Sequence, residues 1–187
     1  IYISTDYVFD GNKGFYDEDD VTNPINYYGL TKLEGEDFVR SICKNYVIAR
    51  TSVLYGWHVK RPNFATWIVE SLKNMRRINV AQDQYSSPTL SNDLAAMILR
   101  ILQIDARGTY HTAGSERVSR YEFAKKLART FDLDETLIEP VQMSDLKGWV
   151  ARRPRDSSLC VEKLRQNLSI EPLGLSRALR MMKDLEP

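Results

Sequence analysis

Residues 25–36 read INYYGLTKLEGE. Asn26 is a natural N-cap, so the stretch opens a helix predicted from about Tyr27 to Cys43. In such a helix Tyr28 and Lys32 stand one turn apart on the same face, with β-carbons roughly 5–6 Å from each other. An ammonium beside a phenol stabilises the phenolate and makes a weak acid–base group usable at neutral pH. Tyr27 has only Thr31 at that offset, and a neutral hydroxyl does not have this effect. A plain helix surface carries the same pattern, and the chain repeats it at Tyr121 and Lys125. Spacing by itself leaves both readings open.

The flanking segments supply context. Ile1-Tyr2-Ile3-Ser4-Thr5 is an apolar β-type run, followed by Asp6-Tyr7-Val8-Phe9-Asp10-Gly11 and turn chemistry at Asn12-Lys13-Gly14. Tyr46-Val47-Ile48-Ala49-Arg50 reads as a second strand. Strand, helix, strand predicts a right-handed parallel crossover and an α/β fold. A buried parallel strand calls for earlier partners, so the chain is expected to be the C-terminal part of a longer protein. Open α/β sheets bind ligands at the carboxyl ends of their strands. Thr5 sits at such an end, where its hydroxyl either caps the turn or meets a substrate carbonyl.

Further along, Asn63 is expected to cap a helix with Phe64, Trp67, Ser71, Leu72 and Met75 on one face. Ser91 heads another, with Leu94, Met97, Ile98 and Ile101 inward, and Ser119 with Glu122 has the form of a capping box. In the helix after it Tyr121, Ala124 and Ala128 are expected inward and Lys125 towards solvent. Leu175, Ala178, Leu179 and Met182 make a last apolar face, whereas Gly35, Phe38, Val39 and Ile42 are the expected inward face of the Tyr28 helix. Ile78–Ala81 and Gly108–His111 read as short strands, and the acidic run 17–20 as a solvated loop.

Composition narrows the function class. Among 187 residues, 26 Lys and Arg against 25 Asp and Glu leave a net charge of +1, which argues against nucleic acid or anionic membrane as partner. No apolar run is long enough for a membrane span or signal peptide, and Cys43 and Cys160 lack metal-type spacing. His58 and His111 are isolated. The expectation is small-molecule chemistry in the cytoplasm without a metal site.

Taken together, STDYVFDG (4–11), YGLTKLEGE (28–36), RTSVLYG (50–56), DQYSSPT (83–89), GTYHTAG (108–114) and RRPRDSSL (152–159) resemble the dTDP-4-dehydrorhamnose reductase family of extended short-chain dehydrogenases/reductases. The resemblance implies the C-terminal part of an NAD(P)-binding Rossmann fold with a smaller α/β substrate-binding lobe. Residues 1–56 would form the catalytic part and 57–187 mainly the lobe, with some segments returning. It further implies reduction of the C4 ketone of a dTDP-sugar with NADPH (or NADH), a homodimer being allowed. Tyr28 would be the general acid, Lys32 would support it and hold the nicotinamide ribose, and Thr5 would orient the carbonyl. Ser4 would join Tyr28 and Lys32 in cofactor binding, and Asp6, Tyr7, Asn63 and Arg153 would meet the substrate, the arginine at its diphosphate.

The family's Gly-rich phosphate loop has no counterpart, since Gly11 and Gly14 are the only glycines before the Tyr28 helix. Val53 and Ser86 stand where relatives often carry Trp and Gly, which bears on sugar specificity. The same resemblance extends to the regulatory subunit of methionine adenosyltransferase, a binding partner rather than a catalyst, and to sugar-nucleotide epimerases and dehydratases.

Overall fold

The computed structural model describes residues 1–57, 62–146, 148 and 150–187. His58 lies outside the described residues. The chain forms β1 (Tyr2–Thr5), α1 (Tyr27–Ile42), β2 (Val47–Thr51), β3 (Leu54–Tyr55), α2 (Phe64–Lys73) and β4 (Ile78–Ala81). It continues through β5 (Tyr85–Ser86), β6 (Thr89–Leu90), α3 (Ser91–Gln103), β7 (Gly108–His111) and β8 (Val118–Ser119). The last elements are α4 (Arg120–Thr130), β9 (Ile138–Val141), α5 (Glu162–Leu168) and α6 (Leu175–Asp184).

β1, β2 and β7 form a parallel sheet in that order, with Thr5 opposite Thr51 and Arg50 opposite His111. The strand, helix, strand unit expected from the sequence is therefore present, and the fold is the Rossmann-like α/β type. One core lies against the sheet, where Val47 and Tyr110 meet Leu94, Met97, Ile101 and Leu164. A second, larger core joins α2, α4 and α6 to the parallel pair β4–β9. Leu175, Ala178, Leu179 and Met182 are all buried in it, as their spacing predicts. A third cluster, Val8, Phe9, Tyr16, Ala113, Leu159 and Val161, ties the loop after β1 to the segment before α5.

Three helix faces differ from expectation. On α1, Phe38 and Ile42 are 66% and 64% exposed, and the fully buried position is Glu36. The reason is electrostatic: Arg50 on β2 forks onto Glu36 with bonds of 2.9 and 2.7 Å, and Ser4 donates to the same carboxylate at 2.5 Å. A paired charge occupies the place an apolar contact would fill, at the cost of desolvating both ions. On α2, Trp67 and Met75 are exposed while Ile68 and Val69 turn inward; Met75 lies past the helix end in left-handed backbone. On α4, Lys125 stays half-buried on Glu135 at 3.2 Å instead of reaching solvent.

The acidic loop is also less uniform than its composition suggests. Glu18 is partly buried and accepts the His111 backbone N–H at 2.7 Å, and Asp20 pairs with Lys13 at 2.5 Å. Gly11 and Gly14 both have positive φ, and a β-carbon at Gly11 would lie 2.5 Å from that of Pro154. These glycines admit the 152–159 segment against the loop.

Candidate functional site

The site is assembled at the carboxyl end of β1. Thr5 is the last strand residue, and its extended backbone lets the side chain accept the Tyr7 N–H at 3.2 Å while donating to Asp6 Oδ1 at 3.0 Å. It is thus a turn cap, as one reading of the sequence held, and it also lies one residue from the groups described next. Asp6 is buried and takes two more hydroxyl donors, Ser52 at 2.7 Å and Ser157 at 2.5 Å. Burial pushes its carboxyl above the usual carboxylate range, against the three hydroxyls and the nearby Arg120, which pull it down. Asp6 is therefore a knot joining β1, the turn after β2, and the 152–159 segment.

α1 is brought close to this knot by Gly29. A side chain at that position would collide with the Tyr7 carbonyl, so glycine sets how near the first turn of the helix can come. Asn26 caps the helix by accepting from Gly29 N–H at 2.8 Å and donates to the Arg152 carbonyl at 2.9 Å. Tyr28 emerges 54% exposed, and its ring meets that of Tyr7 edge-on at 5.9 Å. Lys32 donates to the Ile3 carbonyl at 2.6 Å and sits 4.4 Å from the Tyr2 ring centroid. An ammonium has three N–H groups, so this leaves donors for a ligand's hydroxyls.

Arg120 and Arg153 both lie near enough to Tyr7 for their charges to act on its phenol. Burial, followed by the charge of Asp6, raises the Tyr7 phenol above its ordinary value, and the two arginines oppose this. The same arginines line a cavity of about 420 Å³ with Phe64, Trp67, Val80 and Gln84. Arg152 and Arg155 are exposed, and of the three arginines in that segment only Arg153 reaches the cavity.

Thr5, Asp6, Tyr7, Tyr28, Lys32 and Arg153 are thus brought into one region. Ser4 and Asn63 are engaged elsewhere. Strand alternation turns Ser4 to the opposite face, onto Glu36. Asn63 spends its side chain capping α2 at Ala65 and Thr66 and donating to the Gly56 carbonyl at 2.6 Å. It borders a separate hollow with Tyr55, Trp57 and Ser91.

Val53 adopts φ 39°, a left-handed conformation that a β-branched residue rarely takes. That turn presents Ser52 to Asp6 while the Val53 carbonyl accepts from Thr89 N–H at 3.2 Å. Ser86 is buried with its hydroxyl unpartnered. Sequence reading passed over Ser52, Ser157, Gln84 and Arg120. Arg120 had one signal: it opens a helix, where the macrodipole disfavours a cation, and a broken local rule marks a functional position.

The RmlD substrate binding domain model matches residues 1–185. A dTDP-4-dehydrorhamnose reductase from Aggregatibacter actinomycetemcomitans is 32% identical over 98% of this chain and 65% of its own. Methionine adenosyltransferase 2 subunit beta from Bos taurus is 34% identical over 95% of this chain and 53% of its own. The crystal structure of dTDP-4-dehydrorhamnose reductase from Bacillus anthracis in complex with NADP superposes with a TM-score of 0.92 at 34% identity, covering 99% of this chain and 65% of that one. The chain spans between half and two thirds of the length of these relatives.

Proposed function

The chain belongs to the RmlD substrate binding domain family, and from that premise we propose that the protein reduces the C4 ketone of dTDP-4-dehydro-L-rhamnose to dTDP-L-rhamnose. The observation that carries this reading is the convergence of Thr5, Tyr28 and Lys32 at the carboxyl end of β1, beside a cavity holding two arginines. Residues 1–56 supply the catalytic part and 57–187 mainly the substrate lobe, with β7, α3 and α5 returning to the sheet.

The donor set fits the nicotinamide end of NADPH (or NADH): Lys32 retains N–H groups for ribose hydroxyls, and the Tyr28 side chain is open to solvent next to it. The hydride for the C4 carbon would come from the bound nicotinamide. Tyr28 gives its phenolic proton to the ketone oxygen, so hydride and proton together complete the alcohol. The Lys32 charge stabilises the tyrosinate left behind. Thr5 orients the ketone oxygen by turning its hydroxyl proton from Asp6 towards it, while Ser52 and Ser157 keep that carboxylate hydrogen-bonded. Tyr7 and Asp6 border the sugar, and Arg153 meets the diphosphate by charge-assisted hydrogen bonds.

The test is nicotinamide absorbance on mixing the longest natural form of the protein with NADPH and dTDP-4-dehydro-L-rhamnose. Tyr28-dependent decay is expected; NADPH binding without decay rejects the reaction. Similarity to methionine adenosyltransferase 2 subunit beta favours a second reading, a non-catalytic regulatory subunit. Co-purification with a methionine adenosyltransferase in the absence of turnover would select it.

A further inference from the structure

We propose that the 152–159 segment positions the Thr5 hydroxyl for the reaction: Ser157, together with Ser52, loosens the hold of Asp6 on the Thr5 proton, and the attachment of the segment to β5 and Arg117 sets where Ser157 stands. The reaction concerned is the ketone reduction proposed above, and the inference rests on that reading. A threonine hydroxyl has one proton and two lone pairs. The Tyr7 N–H at 3.2 Å occupies one lone pair and fixes the oxygen, so the direction of the proton is what remains free. Here that proton goes to Asp6 Oδ1. A ketone oxygen receives it only when Asp6 releases it.

The other partners of Asp6 govern that release. Ser157 and Ser52 both donate to Oδ2, at 2.5 and 2.7 Å, the short range of hydroxyl bonds to a carboxylate. Thr5 stands farther off, 3.0 Å from Oδ1. Two short donors draw the carboxylate charge towards Oδ2, which leaves Oδ1 the poorer acceptor and the Thr5 bond the easiest to break. Loss of Ser157 returns charge to Oδ1 and ties the Thr5 proton to it. Thr5, Ser52 and Ser157 are all buried, so bulk water is a poor substitute for a missing donor. Ser52 is itself fixed by accepting the Ser87 N–H at 3.3 Å.

Ser157 belongs neither to the sheet nor to α1, and its segment is fastened from two sides. Asn26 donates to the Arg152 carbonyl at 2.9 Å, and the Asp156 N–H donates to the Gly11 carbonyl at 3.0 Å. Opposite, the Tyr85 N–H on β5 donates to the Arg155 carbonyl at 2.7 Å, and the Ser157 N–H donates to the Tyr85 carbonyl at 3.1 Å. Ser157 is thus bound to β5 by its backbone and to Asp6 by its side chain. Arg117 clamps the same place from just before β8, the partner of β5: its guanidinium lies 3.7 Å from the Tyr85 ring centroid and donates to Asp156 Oδ2 at 2.7 Å. Ser157 and Arg117 are therefore positioning residues, acting on the ketone only through Thr5.

Single-turnover NADPH oxidation by the longest natural form of the protein, with dTDP-4-dehydro-L-rhamnose, tests this in double-mutant cycles against Thr5→Val. Ser157→Ala should slow the reaction roughly 10-fold, near the worth of one charge-assisted hydrogen bond. Arg117→Met should slow it by a smaller factor, and the NADPH dissociation constant should be unchanged in both. In the Thr5→Val background neither substitution should slow the reaction further, because the proton they control is absent. A merely structural role gives the same factor in both backgrounds. Equal factors for Ser157→Ala therefore overturn the proposal, as does a wild-type rate in that variant; equal factors for Arg117→Met overturn the part played by the β5 attachment.

Should Ser157→Ala fail to fold, Ser52→Ala removes the other donor to Oδ2 and enters the same cycle with the same expectation. Absence of oxidation in wild type overturns the reductase reading and this proposal together. Oxidation in wild type with equal factors in the cycle overturns the proposal alone.

Discussion

α1 and α4 carry the same Tyr-x-x-x-Lys spacing and bury different things. Tyr28 and Lys32 stand over the end of β1, with Lys32 reaching the Ile3 carbonyl at 2.6 Å and the Tyr28 ring open to solvent. Lys125 lies 5.8 Å from the Tyr121 ring centroid and is neutralised by Glu135. Below the first pair the helix buries Glu36 on Arg50; below the second it buries Phe123, Ala124, Leu127 and Ala128. A helix sets the distance between two side chains, and the surface it rests on sets whether they are available to a ligand.

The comparison would break most sharply on the tyrosines. Tyr28→Phe should lower turnover by about 10²- to 10⁴-fold, the usual worth of a positioned acid, with cofactor affinity kept. Tyr121→Phe should retain turnover near wild type. Equal losses in steady-state assays of the two variants would mean that context does not separate the pairs.

The next largest effect concerns what lies beneath. Glu36→Gln removes one member of a buried ion pair and should cost about 3–5 kcal/mol in urea unfolding at neutral pH. Burial raises the Glu36 carboxyl, but Arg50, Ser4 and Arg40 outweigh it and hold the group below its ordinary value. Its folded pKa is depressed, so its stabilisation is present above the ordinary carboxylate range and is lost as pH falls through the folded value. Wild type should therefore lose more stability than Glu36→Gln on acidification from neutral pH. Leu127→Ala, under the other pair, should cost about 2–5 kcal/mol with no such pH dependence. A pH-independent Glu36→Gln difference would remove the electrostatic account of α1.

Smaller effects separate the lysines. Lys125→Met should change stability by no more than about 1 kcal/mol, because its partly exposed pair is screened by solvent. Lys32→Met should leave Tm nearly unchanged and lower turnover. A stability loss for Lys32→Met as large as that of Glu36→Gln would show that Lys32 is chiefly a structural contact.

Much of the fold was legible along the chain. Asn26 and Ser119 cap the helices their positions announced, and the α6 face is the one its 3.6-residue period marks, because caps and periodicity are local properties. The same rule fails at Phe38 and Ile42, which are exposed. Hydrophobic spacing cannot register that Arg50, on the neighbouring strand, makes Glu36 the better-satisfied inward residue.

The candidate site divides in the same way. The sequence by itself determined that Tyr28 and Lys32 share a helix face, that Thr5 ends a strand, and which family the motifs resemble. Only the tertiary structure decided that Ser157 closes on Asp6 from 151 residues away, that Arg120 and Arg153 converge on Tyr7, and that Gln84 is left with a bare acceptor in the cavity wall. The physical reason is range. Hydrogen bonds within a turn are encoded by neighbours, whereas the electrostatic environment of a buried group is the sum over everything folding packs around it.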